Sequence, residues 1–211
     1  GRVSSTDPTV GIIEITEFDA VTPRQFTEKV DELKARGINR FVFDLRDNPG
    51  GNLYSITAIM SYFLEEGDTI ISIKNKQGDE QVIKVEVAED RGDSSVYKSD
   101  IGKYRGLDCV VLVNENTASA AEVFTAVMRD YDIARIVGVK TYGKGTVQTY
   151  KFLSDGSVLK LTTYEYMTGK GTRVQDVGVA PDIEVEPSQA LEESYSARLT
   201  QEDNQYRVAL E

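Results

Sequence analysis

The sequence predicts an α/β fold, with parallel strands joined by crossover helices, added β-hairpins and a C-terminal helical segment. Short apolar runs alternate with amphipathic segments of helical period through the first two thirds of the chain. Such an order favours parallel strands with right-handed crossovers. With 211 residues, 40% of them hydrophobic, the chain can build one large core. We expect a linker or edge strand at residues 1–8, a core at 9–187 and the helical segment at 188–211.

The first strand is predicted at Val10–Thr16, and a helix follows it. Thr22 is expected to cap this helix, with Pro23 at the first helical position and Gln25 completing a capping box. Apolar residues then recur at helical spacing until Gly37, which is expected to end the helix.

A second strand and helix are predicted at Phe41–Leu45 and Leu53–Glu65, on either side of the segment Asn48-Pro-Gly-Gly51. After them, Thr69–Lys74 and Gln81–Val87 read as two strands of a hairpin.

A third strand and helix are predicted at Cys109–Val113 and Ala118–Tyr131, which places Ser119 at their junction. Ala134–Val139 is expected to be the next strand.

The last third is predicted to contain a hairpin of Val147–Leu153 and Ser157–Tyr166, because Ser154-Asp155-Gly156 is a strong turn signal. An extended segment at Val177–Val185 follows, since the residue before a proline avoids the helical region. Ser188–Glu211 is charged and weakly amphipathic, and we expect it to dock on the core or on a second subunit.

Composition excludes several classes of function. The net charge of −11 disfavours nucleic acid and anionic membrane surfaces as partners. The chain has no histidine, which excludes Ser-His-Asp and Cys-His catalysis and removes the commonest transition-metal ligand. Its single cysteine, Cys109, can form neither an intrachain disulfide nor a thiol cluster for zinc, and is expected to pack in the core. The composition thus offers no recognisable transition-metal site, and we expect no metal and no cofactor.

Ser119 has two interpretations on the local sequence. With Glu122 it fits the capping box S-x-x-E, and a helix N-cap is the commoner use of such a serine. The alternative is a nucleophile, because unpaired N–H groups at a helix start can hold an oxyanion beside the hydroxyl.

Two other segments are also ambiguous when taken singly. Lys144 lies between two glycines, with Gln148 four residues later; it could be an exposed loop lysine or, if withdrawn from water, a general base. A Walker A loop is not supported, because Lys144 is followed by Gly145 and then by a strand. The segment Asp44–Gly51 could be a tight turn, or a loop whose backbone N–H groups approach a substrate carbonyl.

Taken together and in this order, DLRDNPGG, NENTASAAE and TYGKGTVQ resemble the C-terminal processing peptidases, or tail-specific proteases. The resemblance covers about residues 10–185, including a late segment that ends in GVAPD. It implies a crotonase/ClpP-like core, Ser119 as nucleophile, Lys144 as general base and Gln148 as the residue that positions the lysine. It also implies an oxyanion hole made by the N–H of Gly50 or Gly51 and that of Ala120.

The resemblance further implies protein or peptide substrates with accessible C-terminal tails, and a place outside the cytoplasm, in the cell envelope or periplasm. It allows a homodimer. No stretch resembles the carboxylate-binding loop of the PDZ domain that family members commonly carry. The resemblance therefore leaves two alternatives: an isolated catalytic fragment whose PDZ domain or adaptor lies outside this chain, or a family member without that module. Two alternatives stay open: a catalytically silent interaction or assembly protein on the same fold, and an acyl-CoA-processing crotonase relative.

Overall fold

The computed structural model describes all 211 residues, and its largest element is a six-stranded sheet. Five strands of this sheet are parallel, and the short first strand lies antiparallel at one edge. In spatial order the strands are β1 (Arg2–Val3), β2 (Val10–Glu14), β3 (Arg40–Asp44), β6 (Asp108–Val113), β7 (Ala134–Gly138) and β10 (Ile183–Glu184). The predicted mixed α/β fold and its parallel strands are confirmed.

One face of this sheet is covered by three helices, α1 (Thr22–Ala35), α2 (Leu53–Ser61) and α3 (Ala120–Asp130). Side chains alternate along each strand, so Phe41 and Phe43 point into this main core while Val42 points to the opposite face. Both faces of the sheet are covered by other parts of the chain. Strands that are buried on both faces have near-continuous apolar runs, as β3 and β6 do.

The opposite face is covered by the C-terminal segment, which contains α4 (Gln189–Glu193) and α5 (Asn204–Leu210). Leu199, Tyr206 and Ala209 of this segment are buried against strand residues such as Val42 and Leu112. The sequence allowed this segment to dock on the core or on a second subunit, and in the structure it docks on the core of its own chain. The segment is therefore a structural layer of the domain.

A second sheet is antiparallel and pairs the two predicted hairpins with each other. Its order is β5 (Glu80–Lys84), β4 (Thr69–Asn75), β9 (Val158–Thr168) and β8 (Thr146–Phe152). Residues 71–75 of β4 pair with residues 164–168 of β9. The hairpins are thus confirmed, whereas their union into one sheet was not predicted.

Several predicted boundaries are wrong. Helix α1 has Val21 at its N-cap and no side-chain cap, so the capping box of Thr22 and Gln25 does not form; the Thr22 hydroxyl instead accepts the N–H of Asp19 at 3.0 Å. Helix α2 ends at Ser61, four residues before the predicted end. Only Ile183 and Glu184 form a strand within the segment predicted to be extended.

No helix combines the length and the apolar character needed to span a membrane.

Candidate active site

Ser119 lies in the connection between β6 and α3, immediately before the first residue of the helix. Its backbone has φ 56° and ψ −119°, a conformation that residues other than glycine rarely adopt. Such strain costs about 1–3 kcal/mol and persists where surrounding structure imposes it, commonly at functional sites. Ser119 occupies the N-cap position of α3, and its backbone N–H donates to the Glu122 side chain as the predicted capping box requires.

Glu122, on the first turn of α3, is fully buried and forms a hub of hydrogen bonds. Its Oε2 accepts the backbone N–H of Ser119 at 2.9 Å and that of Lys144 at 2.8 Å. Its Oε1 accepts the N–H of Gly143 at 2.7 Å and the hydroxyl of Thr141 at 2.6 Å. A buried carboxylate needs such partners. The capping box predicted for Ser119 and Glu122 accounts for one of these four bonds, the contact to the N–H of Ser119.

Tyr166, on β9, connects the same two segments through their carbonyl groups. Its hydroxyl oxygen lies 3.0 Å from the carbonyl oxygen of Ser119 and 2.9 Å from that of Lys144. Burial raises the pKa of Tyr166 well above its usual value, and the charge of Glu122 raises it further, so the hydroxyl keeps its proton and can donate. Sequence reasoning missed this residue, because strand alternation does not reveal which distant carbonyl a tyrosine will reach.

Both positions beside Lys144 require glycine. Gly143 has φ +92°, in the left-handed region that favours glycine. A Cβ built on Gly145 would lie 2.3 Å from the backbone nitrogen of Gln175, and the N–H of Gly145 donates to the Gln175 side-chain oxygen at 2.8 Å. Gln175 is a second residue that the sequence analysis missed, since it lies in a polar loop without a recognisable pattern.

The structure joins Ser119 and Lys144 through their backbones, and their side chains are not hydrogen-bonded to each other. Gln148 lies on β8, where the register shifts between Val147 and Gln148, and its side chain makes no hydrogen bond to Lys144. Lys144 and Gln148 are both partly buried. The three predicted residues thus lie on two neighbouring segments, without the side-chain contacts expected in a working catalytic centre.

The loop after β3 packs directly on Ser119. A Cβ added to Gly50 would lie 2.6 Å from the Cβ of Ser119 and 2.8 Å from the nitrogen of Ala120, so only glycine fits here. The N–H of Gly50 is already used, because it donates to the Asn48 side-chain oxygen at 2.8 Å. The N–H groups of Gly51 and Ala120 have no backbone acceptor. Of the two glycines predicted for an oxyanion hole, Gly51 is therefore the one with an available donor.

Comparison with known proteins identifies the family of this chain. The sequence pattern of peptidase family S41 matches residues 9–185. The carboxy-terminal processing protease CtpA of Bacillus subtilis is 34% identical over 180 residues, which are 85% of this chain and 36% of CtpA. The chain thus spans about a third of the length of this relative.

Solved structures show the same fold. The photosystem II D1 C-terminal processing protease superposes with a TM-score of 0.69 at 28% identity, over 84% of this chain and 42% of that one. A lipoprotein from Streptococcus agalactiae superposes with a TM-score of 0.66 at 22% identity, over 89% of this chain and 65% of that one. The sequence pattern covers most of the chain, including all three segments of the site, and on this ground the chain belongs to peptidase family S41.

Proposed function

We propose that this chain is the catalytic core of a serine endopeptidase that cleaves proteins near their C-terminal tails, with Ser119 as nucleophile and Lys144 as general base. The observation that carries the proposal is the double attachment of these two residues to Glu122 and Tyr166. Two buried groups hold the nucleophile segment and the lysine segment in one fixed relation, and the nucleophile has a strained backbone.

The proposed reaction is acyl transfer. The neutral amine of Lys144 takes the proton of the Ser119 hydroxyl while its oxygen attacks the carbonyl carbon of a peptide bond. The N–H groups of Gly51 and Ala120 stabilise the negative oxygen of the tetrahedral intermediate. The protonated lysine then gives its proton to the leaving nitrogen as the C–N bond breaks. The same lysine then takes a proton from water, whose oxygen attacks the acyl carbon; the ester bond to Ser119 breaks, and the lysine returns the proton to the Ser119 oxygen.

This mechanism requires the Lys144 amine to come within hydrogen-bond distance of the Ser119 hydroxyl. The lysine side chain has a flexible four-carbon stem, and catalytic hydrogen bonds commonly tighten only when substrate binds. We propose that Gln148 then holds the amine by a hydrogen bond. A neutral amide suits this role, because a carboxylate would favour the charged and inactive form of the lysine.

Similarity to a carboxy-terminal processing protease is the reason for proposing protein substrates with accessible tails. We also propose a place outside the cytoplasm, in the cell envelope or periplasm, as membership of this family suggests. We also propose that the parallel sheet and its helices form a core of crotonase/ClpP-like type. A homodimer and a separate PDZ domain or adaptor are further proposals from the family. The net charge of −11 supports the proposal that nucleic acid is not a partner.

The test is degradation of an unfolded protein by this chain and by Ser119→Ala, Lys144→Ala and the double variant. Each single variant should lose essentially all turnover, and the double variant should lose no more, because the two residues act as one unit. Ser154→Ala and Lys151→Ala are matched controls at exposed positions and should keep full activity. A fluorophosphonate should label the chain at Ser119 alone.

Substantial turnover by either single variant would contradict the assignment of Ser119 and Lys144. Absence of both turnover and labelling in the folded chain would favour a catalytically silent interaction protein. Binding of coenzyme A would favour an acyl-CoA-processing relative.

A further inference from the structure

The C-terminal segment contacts the loop after β3 through one buried arginine. The Arg46 side chain is 2% exposed, and its Nη2 donates to Asp44 at 2.7 Å and to Asp203 at 2.8 Å. Its Nη1 donates to the Gln205 side-chain oxygen at 3.0 Å. Asp203 and Gln205 belong to the C-terminal segment, and Asp44 ends β3. The segment therefore supplies two of the three side chains that hold this guanidinium.

Both C-terminal partners are themselves held in place. The Asp203 carboxylate accepts the N–H of Leu199 and that of Tyr206, each at 2.9 Å, so it also caps α5. The Gln205 side-chain nitrogen donates to the carbonyl of Val185 at 2.7 Å. These bonds leave Asp203 and Gln205 little freedom to follow Arg46 if it moves.

The charges of this cluster make it a strong contact. Burial alone would lower the pKa of Arg46, but its hydrogen bonds to Asp44 and Asp203 and their charges outweigh burial and raise the pKa. Removing one partner of a buried ion pair is costly, because the other charge stays buried without compensation. The Arg46 side chain is thus expected to move when Asp203 loses its charge.

Arg46 is connected to the site through a short segment that is held by several hydrogen bonds. Asn48, two residues later, is completely buried; its side-chain nitrogen donates to the carbonyl of Ile15 at 2.7 Å and its side-chain oxygen accepts from Gly50. The carbonyl of Asn48 accepts the N–H of Ala118 at 2.9 Å, directly beside Ser119. Gly50 packs against Ser119 with no space for a methyl group. A shift of Arg46 would thus act on a segment whose far end packs directly against Ser119.

We propose that Asp203 and Gln205 are positioning residues for the peptidase reaction, which act through Arg46 to hold the loop 46–51 against Ser119. The proposal rests on the function proposed above, in which this loop supplies an oxyanion donor. These residues lie beyond residue 185, where the match to the family pattern ends. The C-terminal segment thus has a role in the reaction as well as in covering the sheet.

The test measures kcat and KM for a peptide substrate with Asp203→Asn and Gln205→Ala. We expect kcat to fall at least about tenfold with KM changed less than about threefold, since small displacements of stabilising groups slow the reacting step. Asp203→Glu, which keeps the charge, should recover part of the lost kcat.

Tyr206→Phe is the matched control. It removes a hydroxyl of the same C-terminal segment, which donates to Ser4 near the N-terminus, and leaves Arg46 untouched. It should lower the melting temperature while kcat stays within about twofold of the parent chain. If Tyr206→Phe lowers kcat as much as Asp203→Asn does, the effect is general destabilisation and the proposal is wrong.

A second measurement is independent of turnover. Amide hydrogen exchange in residues 46–51 and 117–120 should be faster in Asp203→Asn and Gln205→Ala than in the parent chain and in Tyr206→Phe. Unchanged exchange there would overturn the proposal whether or not the chain is a peptidase. Conversely, an inactive parent chain with faster exchange in these variants would contradict the proposed function and leave the coupling supported.

Discussion

The backbone N–H groups of Ser119 and Lys144 donate to the same carboxylate oxygen, Oε2 of Glu122, at 2.9 and 2.8 Å. The two residues are far apart in sequence, and each lies in an irregular segment. A shared acceptor is a direct way to fix two such segments relative to each other. Tyr166 repeats the connection from the carbonyl side, so both polar groups of each backbone unit are constrained.

The first prediction concerns Glu122→Gln. The amide has nearly the same shape but only one acceptor oxygen, so it cannot accept all four of the present donors. We expect turnover to fall at least about a hundredfold and the free energy of unfolding to fall by about 1–3 kcal/mol. Urea unfolding and kinetics on the same preparation measure both. Glu115→Gln, at an exposed position of the preceding loop, is the control, and an equal loss there would refute the explanation.

The second prediction concerns Tyr166→Phe, which removes only the hydroxyl. The Lys144 carbonyl then loses its donor and the Ser119 carbonyl keeps only the N–H groups of Glu122 and Val123, at a cost of about 1–2 kcal/mol in the free energy of unfolding. We expect kcat to fall while KM changes little, because the ring still fills its place in the core. Tyr164→Phe, on the same strand, should behave like the parent chain. A Tyr166→Phe variant with full kcat would show that this contact is dispensable for turnover.

The third prediction concerns the protonation of the base. Only a neutral amine can take the proton of Ser119, so a side chain that keeps its positive charge cannot replace Lys144. Lys144→Arg should therefore be inactive at every pH, because arginine keeps its charge. Turnover is measured with a small peptide on protein whose far-UV circular dichroism matches that of the parent chain. An active Lys144→Arg variant would mean that another group is the base.

The fourth prediction concerns stability at high pH. Burial raises the pKa of Tyr62, Tyr104 and Tyr166, and neighbouring carboxylates raise it further. Above about pH 10 the unfolded chain loses these protons while the folded chain keeps them. The free energy of unfolding should therefore be unaffected by them below pH 10 and fall above it, by up to roughly 1.4 kcal/mol per pH unit for each tyrosine.

Urea unfolding from pH 8 to 11 measures this dependence. Tyr104→Phe should reduce the slope above pH 10, because one of the ionisations is removed. Stability that stays constant up to pH 11 would show that these hydroxyl groups ionise equally in both states.

The sequence by itself determined the parts of this protein that depend on neighbouring residues. The period of apolar positions predicted most strands and helices, since side chains alternate in strands and recur every three or four residues in helices. Ser154-Asp155-Gly156 predicted a hairpin turn because only a few residue types favour such a backbone. The lack of histidine excluded whole classes of chemistry, and the three motifs indicated Ser119 and Lys144.

Only the tertiary structure decided how these parts meet. It placed Tyr166 between two carbonyls, left the N–H of Gly51 available while that of Gly50 is used, and joined Arg46 to Asp203. It also left Gln148 without its expected contact to Lys144. Each of these contacts depends on how strands from distant parts of the chain pair and which face of the sheet each segment covers. Local periodicity carries no information on that pairing, because the same pattern fits several arrangements of the same elements.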